Sequence, residues 1–178
     1  MASIFGHALT AFAIGKPMVK KLLNLKLVLL GIICSIIPDA DVLGFQFGIP
    51  YKSFWGHRGF THSFVFAIIL AILLVFTFYK TKRSKDKISI AFYLFICTAS
   101  HGILDALTNG GKGVALLAPF DNSRYFFPFR PIKVSPIGMT NFFSEWGFKV
   151  VLSELIWIGI PSIFIIIFYK LLQNKQAS

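Results

Sequence analysis

From Phe64 to Tyr79 the chain reads FVFAIILAILLVFTFY, without a single charge. In a bilayer the backbone N–H and C=O groups of such a run can be satisfied only inside a helix or a closed barrel. Phe60, Thr61, His62 and Ser63 extend it at its start. Two further runs are of similar kind: Ile88 to Leu107, and Val150 to Leu172, the latter interrupted by Pro161 and carrying Glu154. Each approaches the roughly 20 residues that a hydrocarbon core of about 30 Å demands. Ile4 to Ile14 and Leu25 to Ile37 are shorter, and at about 1.5 Å per residue each reaches only part of the way across. Gly15-Lys16-Pro17 and Pro38 supply their stops. The reading is an all-α polytopic membrane protein with three long spanning helices and two shorter amino-terminal helices. It forms one domain over 1–178, with one long loop over 109–147.

The balance of residues agrees. Of 178 residues, 56% are hydrophobic, mean hydropathy is +0.73, and no stretch is both long and polar enough to fold apart from the membrane. A net charge of +11 would suggest nucleic acid in a soluble protein. Here the basic residues lie between apolar runs, so topology and anionic head groups account for them, and no nucleic-acid partner is expected. Lys16, Lys20 and Lys21 follow the apolar amino-terminal stretch instead of preceding it, the reverse of a cleaved signal. Cys34 and Cys97 stand singly in apolar runs and read as small buried hydrophobes.

The excess of basic residues in cytoplasmic loops orients the chain. Lys80, Lys82, Arg83, Lys85 and Lys87 mark one cytoplasmic loop, relieved only by Asp86; Lys16, Lys20, Lys21 and Lys26 mark a second turn, and Lys170 and Lys175 a third. Threading the chain through these points sends His7, Asp39, Asp41, His57, His62, His101 and Asp105 to the opposite end, the outer face of a cytoplasmic membrane. The 109–147 connection lies there too, with Lys112, Arg124, Arg130 and Lys133, a mild departure from the rule. A connection of that length without periodicity is read as a functional loop or lid.

The chain has only four histidines, and all fall in or beside apolar segments. A carboxylate at the centre of a membrane helix costs about 2.5–3.5 kcal/mol, and intramembrane ionisable groups are functional suspects by default. Bound divalent cations would offset that cost. His101 and Asp105, spaced i and i+4, emerge on one helix face with Thr108 a turn later; the bland alternative is an intrahelical hydrogen bond. In Pro38-Asp39-Ala40-Asp41 the proline stops a helix and two carboxylates at alternate positions can address one centre, against a helix-capping Asp beside a solvated one. His57-Arg58-Gly59-Phe60-Thr61-His62-Ser63 places two imidazoles over the same mouth, with Arg58 offering a planar fork to a phosphate; lipid head groups are the plain alternative. His7 joins on topology alone. Glu145 is placed to complete the site, and Glu154 to pair with Lys149 or a helix neighbour. Imidazole with carboxylate suits one or two divalent ions, zinc first, then manganese or iron. Asp39, Asp41 or His62 is left as general base where it is not a ligand.

The runs PDAD, HRGFTHS and HGILD, preceded by His7, resemble the YdjM-type family of bacterial inner-membrane, metal-dependent hydrolases, from His7 to Pro119. More distantly, the order of ligands is similar to that of the zinc-dependent phospholipase C and single-strand nuclease superfamily. That resemblance implies zinc held by His7, Asp39 or Asp41, His57 or His62, and the His101–Asp105 pair. His101 is the last histidine and no HxxxE follows, which implies one or two metals, not three. The expected activity is hydrolysis of a phosphate ester on a lipid or lipid-linked substrate by a metal-activated water. Arg58, Lys112, Arg124, Arg130 and Lys133 would hold the phosphate, and apolar walls an acyl or prenyl chain. The alternative is a metal-ion or proton-coupled transporter using the cluster as its ion site; a third reading is a metal acting only as a structural staple.

Overall fold

The protein is described by a computed structural model covering residues 1–80, 82–136 and 139–177. Helices α1 (Ile4–Met18), α2 (Leu25–Ile36), α3 (Phe64–Phe78) and α4 (Ser84–Ala106) form a bundle. A four-residue turn of helix, α5 (Met139–Phe142), precedes a long carboxy-terminal helix. That helix is built from α6 (Glu145–Glu154), a wider π turn over Leu155–Gly159, and α7 (Ile160–Ala177). The all-helical membrane architecture expected from the sequence is what the chain adopts, and two isolated backbone bridges are the sole β-type pairings among the described residues.

Polar caps set where the helices begin. Ser3, Asn24, Ser63 and Ser144 each accept a hydrogen bond from a first-turn N–H of α1, α2, α3 and α6. Such caps satisfy donors that the helix itself leaves open.

Among the described residues three helices are long and apolar enough to cross a membrane, two of them over the expected runs from Ile88 and Val150 and the third in place of the Phe64–Tyr79 run. They are Leu25–Phe47, Ser84–Ala106 and Glu145–Gln173. The second apolar segment does not stop at Pro38. It tightens into an eleven-residue 3-10 segment, Ile37–Phe47, with the proline in its first turn, where a missing N–H breaks no ladder. Phe64–Phe78 is helical for 15 residues, about 22 Å at the helical rise, because Phe60–His62 forms a separate 3-10 turn. Helix α1 passes through Pro17, which lacks the N–H for an i→i−4 bond, and ends one residue later at Met18. Pro161 is absorbed by the π turn before it, and the helix continues.

Helix α4 is the hub, packing on α1, α2 and α3, while α7 lies against α1. Apolar side chains gain little from burial when the surroundings are lipid, so close backbone approach has to hold such a bundle. Tyr93 of α4 shows how. Its ring fills the seat left by Gly15 and Gly31, and its hydroxyl donates to the Ala11 carbonyl at 3.3 Å. Cys34 and Cys97 are free and buried in the same core. A Cβ on Gly31 would stand 2.1 Å from Tyr93 Oη and 2.6 Å from Cζ, so Gly31→Ala forces α2 off α4. Overpacking of this kind costs about 1–3 kcal/mol, a fall of roughly 2–12 °C in a detergent melting curve. An unchanged midpoint would show that the two helices are not seated on Tyr93. Outward, α3 shows Ile69, Leu73 and Phe76, and α7 shows Ile163, Phe164 and Phe168, all well exposed and fit to face lipid.

The loop expected over 109–147 ends earlier, at α5 and α6, and its residues 137 and 138 lie outside the described set. The described part is pinned rather than loose. Val114 and Tyr125 exchange backbone hydrogen bonds at 2.9 Å, Asn109 N–H donates to Ile132 O at 2.9 Å, and Ala115 N–H donates to Arg58 O at 3.0 Å.

Candidate metal centre

The caps and packing bring one end of the bundle together around α4. His101 and Asp105 emerge side by side from its last turns, as their spacing requires. The 3-10 turn carrying His62 is pressed so tightly on α4 that a Cβ on Gly102 would stand 2.6 Å from the His62 carbonyl oxygen. Asp39 arrives from the 3-10 segment after α2, and His7 from α1. His7, His57, Arg58, His62, His101 and Asp105 are essentially without exposure, and Asp39 keeps 7%.

Four donors face one point. His101 Nε2 lies 3.1 Å from His62 Nε2 and 3.3 Å from Asp39 Oδ1. His62 Nε2 is 3.6 Å from Asp39 Oδ1 and 3.7 Å from Asp105 Oδ2, which is 4.0 Å from His101 Nε2. Ligands about 2.0–2.1 Å from a tetrahedral ion are about 3.3–3.4 Å apart, within the 3.1–4.0 Å spread of these distances. Asp39, His62, His101 and Asp105 are therefore the residues that could hold an ion.

Tautomers sharpen the point. His101 Nδ1–H donates to the Ser35 carbonyl at 2.7 Å, and a carbonyl only accepts. His62 Nδ1 lies 3.2 Å from the Asp41 carboxylate, which, when ionised, also only accepts. Both rings thus spend Nδ1 on an acceptor, which leaves Nε2 of each as the nitrogen able to hold an ion. Neither Asp39 oxygen nor Asp105 Oδ2 accepts a hydrogen bond, leaving buried acceptors aimed into the same space. Two imidazole Nε2 atoms and the Asp39 carboxylate converge there beside Asp105, whose one buried positive side-chain partner is Arg58, an arrangement a cation relieves.

The two carboxylates of PDAD do not share a task. In a 3-10 helix, residues two apart point in different directions. Asp39 faces the four-donor space. Asp41 lies behind His62, its Oδ1 accepting from His57 Nδ1–H at 2.6 Å and its Oδ2 from Thr61 Oγ1–H at 2.7 Å and Arg58 N–H at 3.1 Å. Asp41, His57 and His62 form a second group with the reach to hold an ion, but Asp41 already spends its lone pairs on these donors. It orients His62 from behind, as outer carboxylates do for metal-bound imidazoles. Asp41→Asn should therefore weaken zinc affinity about 10–100-fold while leaving one ion bound at saturation. An affinity unchanged in competition with a chelating dye would show that Asp41 orients nothing.

His7 stacks on His101 with ring centroids 3.8 Å apart, and its Nε2 is 3.6 Å from Asp105 Oδ1, outside the four-donor set. Arg58, expected to hold a phosphate, is instead turned inward. Its Nε lies 3.0 Å from Asp105 Oδ2, Nη1 donates to Gly110 O at 2.9 Å, and Nη2 to Thr108 Oγ1 at 3.1 Å. Its backbone has φ +63°, a left-handed conformation uncommon for a residue other than glycine.

The loop cations divide. Arg124 ties the 51–57 segment by donating to the carbonyls of His57 and Tyr51, both at 2.8 Å. Arg124 and Lys112 both lie over the Tyr51 ring. Burial pushes the Tyr51 phenol above its ordinary pKa, so it stays neutral. Arg130 sits over Phe126 and Lys133 over Trp146, and no contact between either and the His/Asp cluster is seen among the described residues. Of the two glutamates, Glu145 is exposed and pairs with Lys149 at 2.7 Å, away from the site. Glu154 is buried and pairs not with Lys149 but with the Ser3 N–H and hydroxyl at the start of α1. Sequence reasoning did not find Ser35, Thr61 or the Ala2 N–H, which donates to Asp105 Oδ1 at 2.8 Å. Short hydroxyls and backbone groups give no signal in a chain read by charge.

A bundle of membrane-crossing helices with a buried His/Asp cluster at one end defines a helical membrane protein with a candidate metal centre. The chain belongs to the YdjM inner membrane protein family, whose pattern matches residues 1–177. It is 39% identical over 161 residues to inner membrane protein YbcI of Escherichia coli (strain K12), covering 90% of this chain and 92% of that one. No solved structure matches.

Proposed function

We propose that the protein is a metal-dependent hydrolase that cleaves a phosphate ester of a lipid or lipid-linked substrate at the outer face of the cytoplasmic membrane. The observation that carries this reading is the pair of Nε2 atoms 3.1 Å apart between Asp105 and Asp39, neither of whose oxygens accepts a hydrogen bond. Asp39, His62, His101 and Asp105 would hold the ion, zinc first by ligand type, with manganese or iron as alternatives. Charge favours one ion over two. Among the side chains of the cluster, Asp39, Asp41 and Asp105 set against Arg58 leave two negative charges, which a single divalent cation cancels.

A divalent ion there supplies Lewis acidity to a phosphoryl oxygen and lowers the pKa of bound water towards neutrality. The protein's own groups do the rest. With Asp39 and His62 engaged as ligands, proton handling falls to Asp41 and His57. The carboxylate holds His57 by Nδ1, and the ring also lines a cleft of about 120 Å³ shared with Tyr51, Arg58 and Gly111. Arg58 fixes Asp105, and Lys112 with Arg124 makes the cleft positive around Tyr51.

Burial of the donors supports one other reading, a closed structural ion, because His62, His101 and Asp105 have no exposed side-chain area. Transport has less support. Between the cluster and the basic Lys80–Lys87 turn, the core is made of groups such as Ala11, Leu27, Cys34 and Leu94, which offer no ion a path. The test is zinc- or manganese-loaded protein assayed on phosphomonoester and phosphodiester lipids, with His57→Asn and the surface control Asp86→Asn. Activity lost on the order of 100-fold in the first and unchanged in the second is expected for a general base. An inert, fully loaded wild type whose ion shows four protein ligands and no water by X-ray absorption would overturn hydrolysis in favour of the closed site.

A further inference from the structure

Next to the polar cleft lies a second depression of different character. It has a volume of about 270 Å³ and is walled chiefly by Ile4, Phe5, Pro136, Phe142 and Phe143. Its wall and the wall of the cleft share Met1 and Ser135, so the two meet edge to edge. Phe5 and Phe143 are among the most exposed aromatics of the chain, at 71% and 82%. Phe5 and Phe142 face each other at 6.1 Å across the start of α1 and α5. Through that shared edge the trough adjoins the cleft lined by His57 and Arg58.

We propose that this trough seats one acyl chain of an anionic phospholipid whose phosphate occupies the Tyr51–His57–Arg58–Gly111 cleft. The proposal rests on the hydrolase reading for what happens to the phosphate, but the binding stands apart from it. Three features select this occupant. The trough is apolar and opens where the helices face lipid, which suits an acyl chain. The adjoining cleft has the cations of Lys112 and Arg124 over its Tyr51 wall, which suits a phosphate. The two volumes together fall in the roughly 300–1,000 Å³ range of ligand sites. Apolar and charged halves joined at Ser135 match an amphiphile better than either half matches a soluble metabolite.

The probe is phosphatidic acid carrying a diazirine midway along one acyl chain, photolysed with detergent-purified full-length protein and mapped by peptide mass spectrometry. Labelling should be saturable, displaced by unlabelled phosphatidic acid but not by diacylglycerol, and concentrated on the peptides holding Ile4–Phe5 and Phe142–Phe143. Ser135→Phe, which plugs the junction, should cut that labelling at least fivefold. Phe143→Ala, at a position too exposed to affect folding, should cut it severalfold with metal content unchanged. Label spread evenly over α3 and α7, or indifferent to both substitutions, would overturn the proposal. Specific labelling with no hydrolysis of any phosphate ester would leave the trough standing and remove the hydrolase. Hydrolysis of a water-soluble phosphate ester without trough labelling would do the reverse.

Discussion

Purified His101→Ala and Asp39→Asn proteins should carry no tightly bound divalent metal, where the wild type carries about one ion per chain. Each substitution takes one corner from a four-cornered set in which the imidazole nitrogens lie 3.1 Å apart and 3.3 to 4.0 Å from the carboxylate oxygens. Loss of His101 also frees the Ser35 carbonyl, which holds the ring by its Nδ1 proton at 2.7 Å. His7→Ala is the informative contrast. His7 stacks on His101 without entering the set, so its removal should lower affinity about tenfold and leave the stoichiometry intact, as loss of a supporting group does. Elemental mass spectrometry on the four proteins decides the matter. Stoichiometric metal in His101→Ala would sink the centre as drawn; loss of metal in His7→Ala equal to that in His101→Ala would make His7 a ligand.

The largest expected effect on stability belongs to Arg58→Ala. The guanidinium is 1% exposed and its Nε sits 3.0 Å from Asp105 Oδ2, so truncation leaves a buried carboxylate facing lone pairs. Breaking a buried ion pair from one side costs about 3–5 kcal/mol, which for a chain of this size is a fall of roughly 6–20 °C in the melting midpoint. Arg58→Gly separates two contributions. It loses the same pair but relieves the left-handed backbone at φ +63°, so it should melt a few degrees above Arg58→Ala, reflecting about 1 kcal/mol. Differential scanning fluorimetry in detergent reads both. Midpoints within a degree of wild type would mean that Arg58 does not hold Asp105 in solution.

What could be read in the sequence depended on whether a residue announced itself by charge and spacing. His101 and Asp105 lay one helical turn apart and stayed so. The positive-inside argument gathered His7, Asp39, Asp41, His57 and His62 at the same end as that pair, and the structure brings all seven together. The division of labour within PDAD was not legible, because it depends on the chain continuing as a 3-10 helix past Pro38, where period rather than proximity decides where each carboxylate points. Arg58 was misplaced for a related reason. An arginine beside a membrane mouth is ordinarily exposed, and nothing local shows that Thr108 and the Gly110 carbonyl await it inside. Gly111 does record the contact: a Cβ there would meet Arg58 Nη1 at 2.4 Å. The second span lengthened because Pro38 was read as a stop, whereas the first turn of the 3-10 segment tolerates it.

The four candidate ligands are contributed in order by the chain between Asp39 and Asp105, and none comes from α6 or α7. During synthesis the centre cannot close until the far end of α4 has left the ribosome and entered the bilayer, since both His101 and Asp105 reside there. Once it does, all four candidate ligands have been made, ahead of α6 and α7. Metal uptake at this centre would therefore mark a moment in biogenesis, with the first four helices made and the carboxy-terminal helix still to come. A cation captured then would lock the early bundle in register and give α7 a finished surface on which to dock.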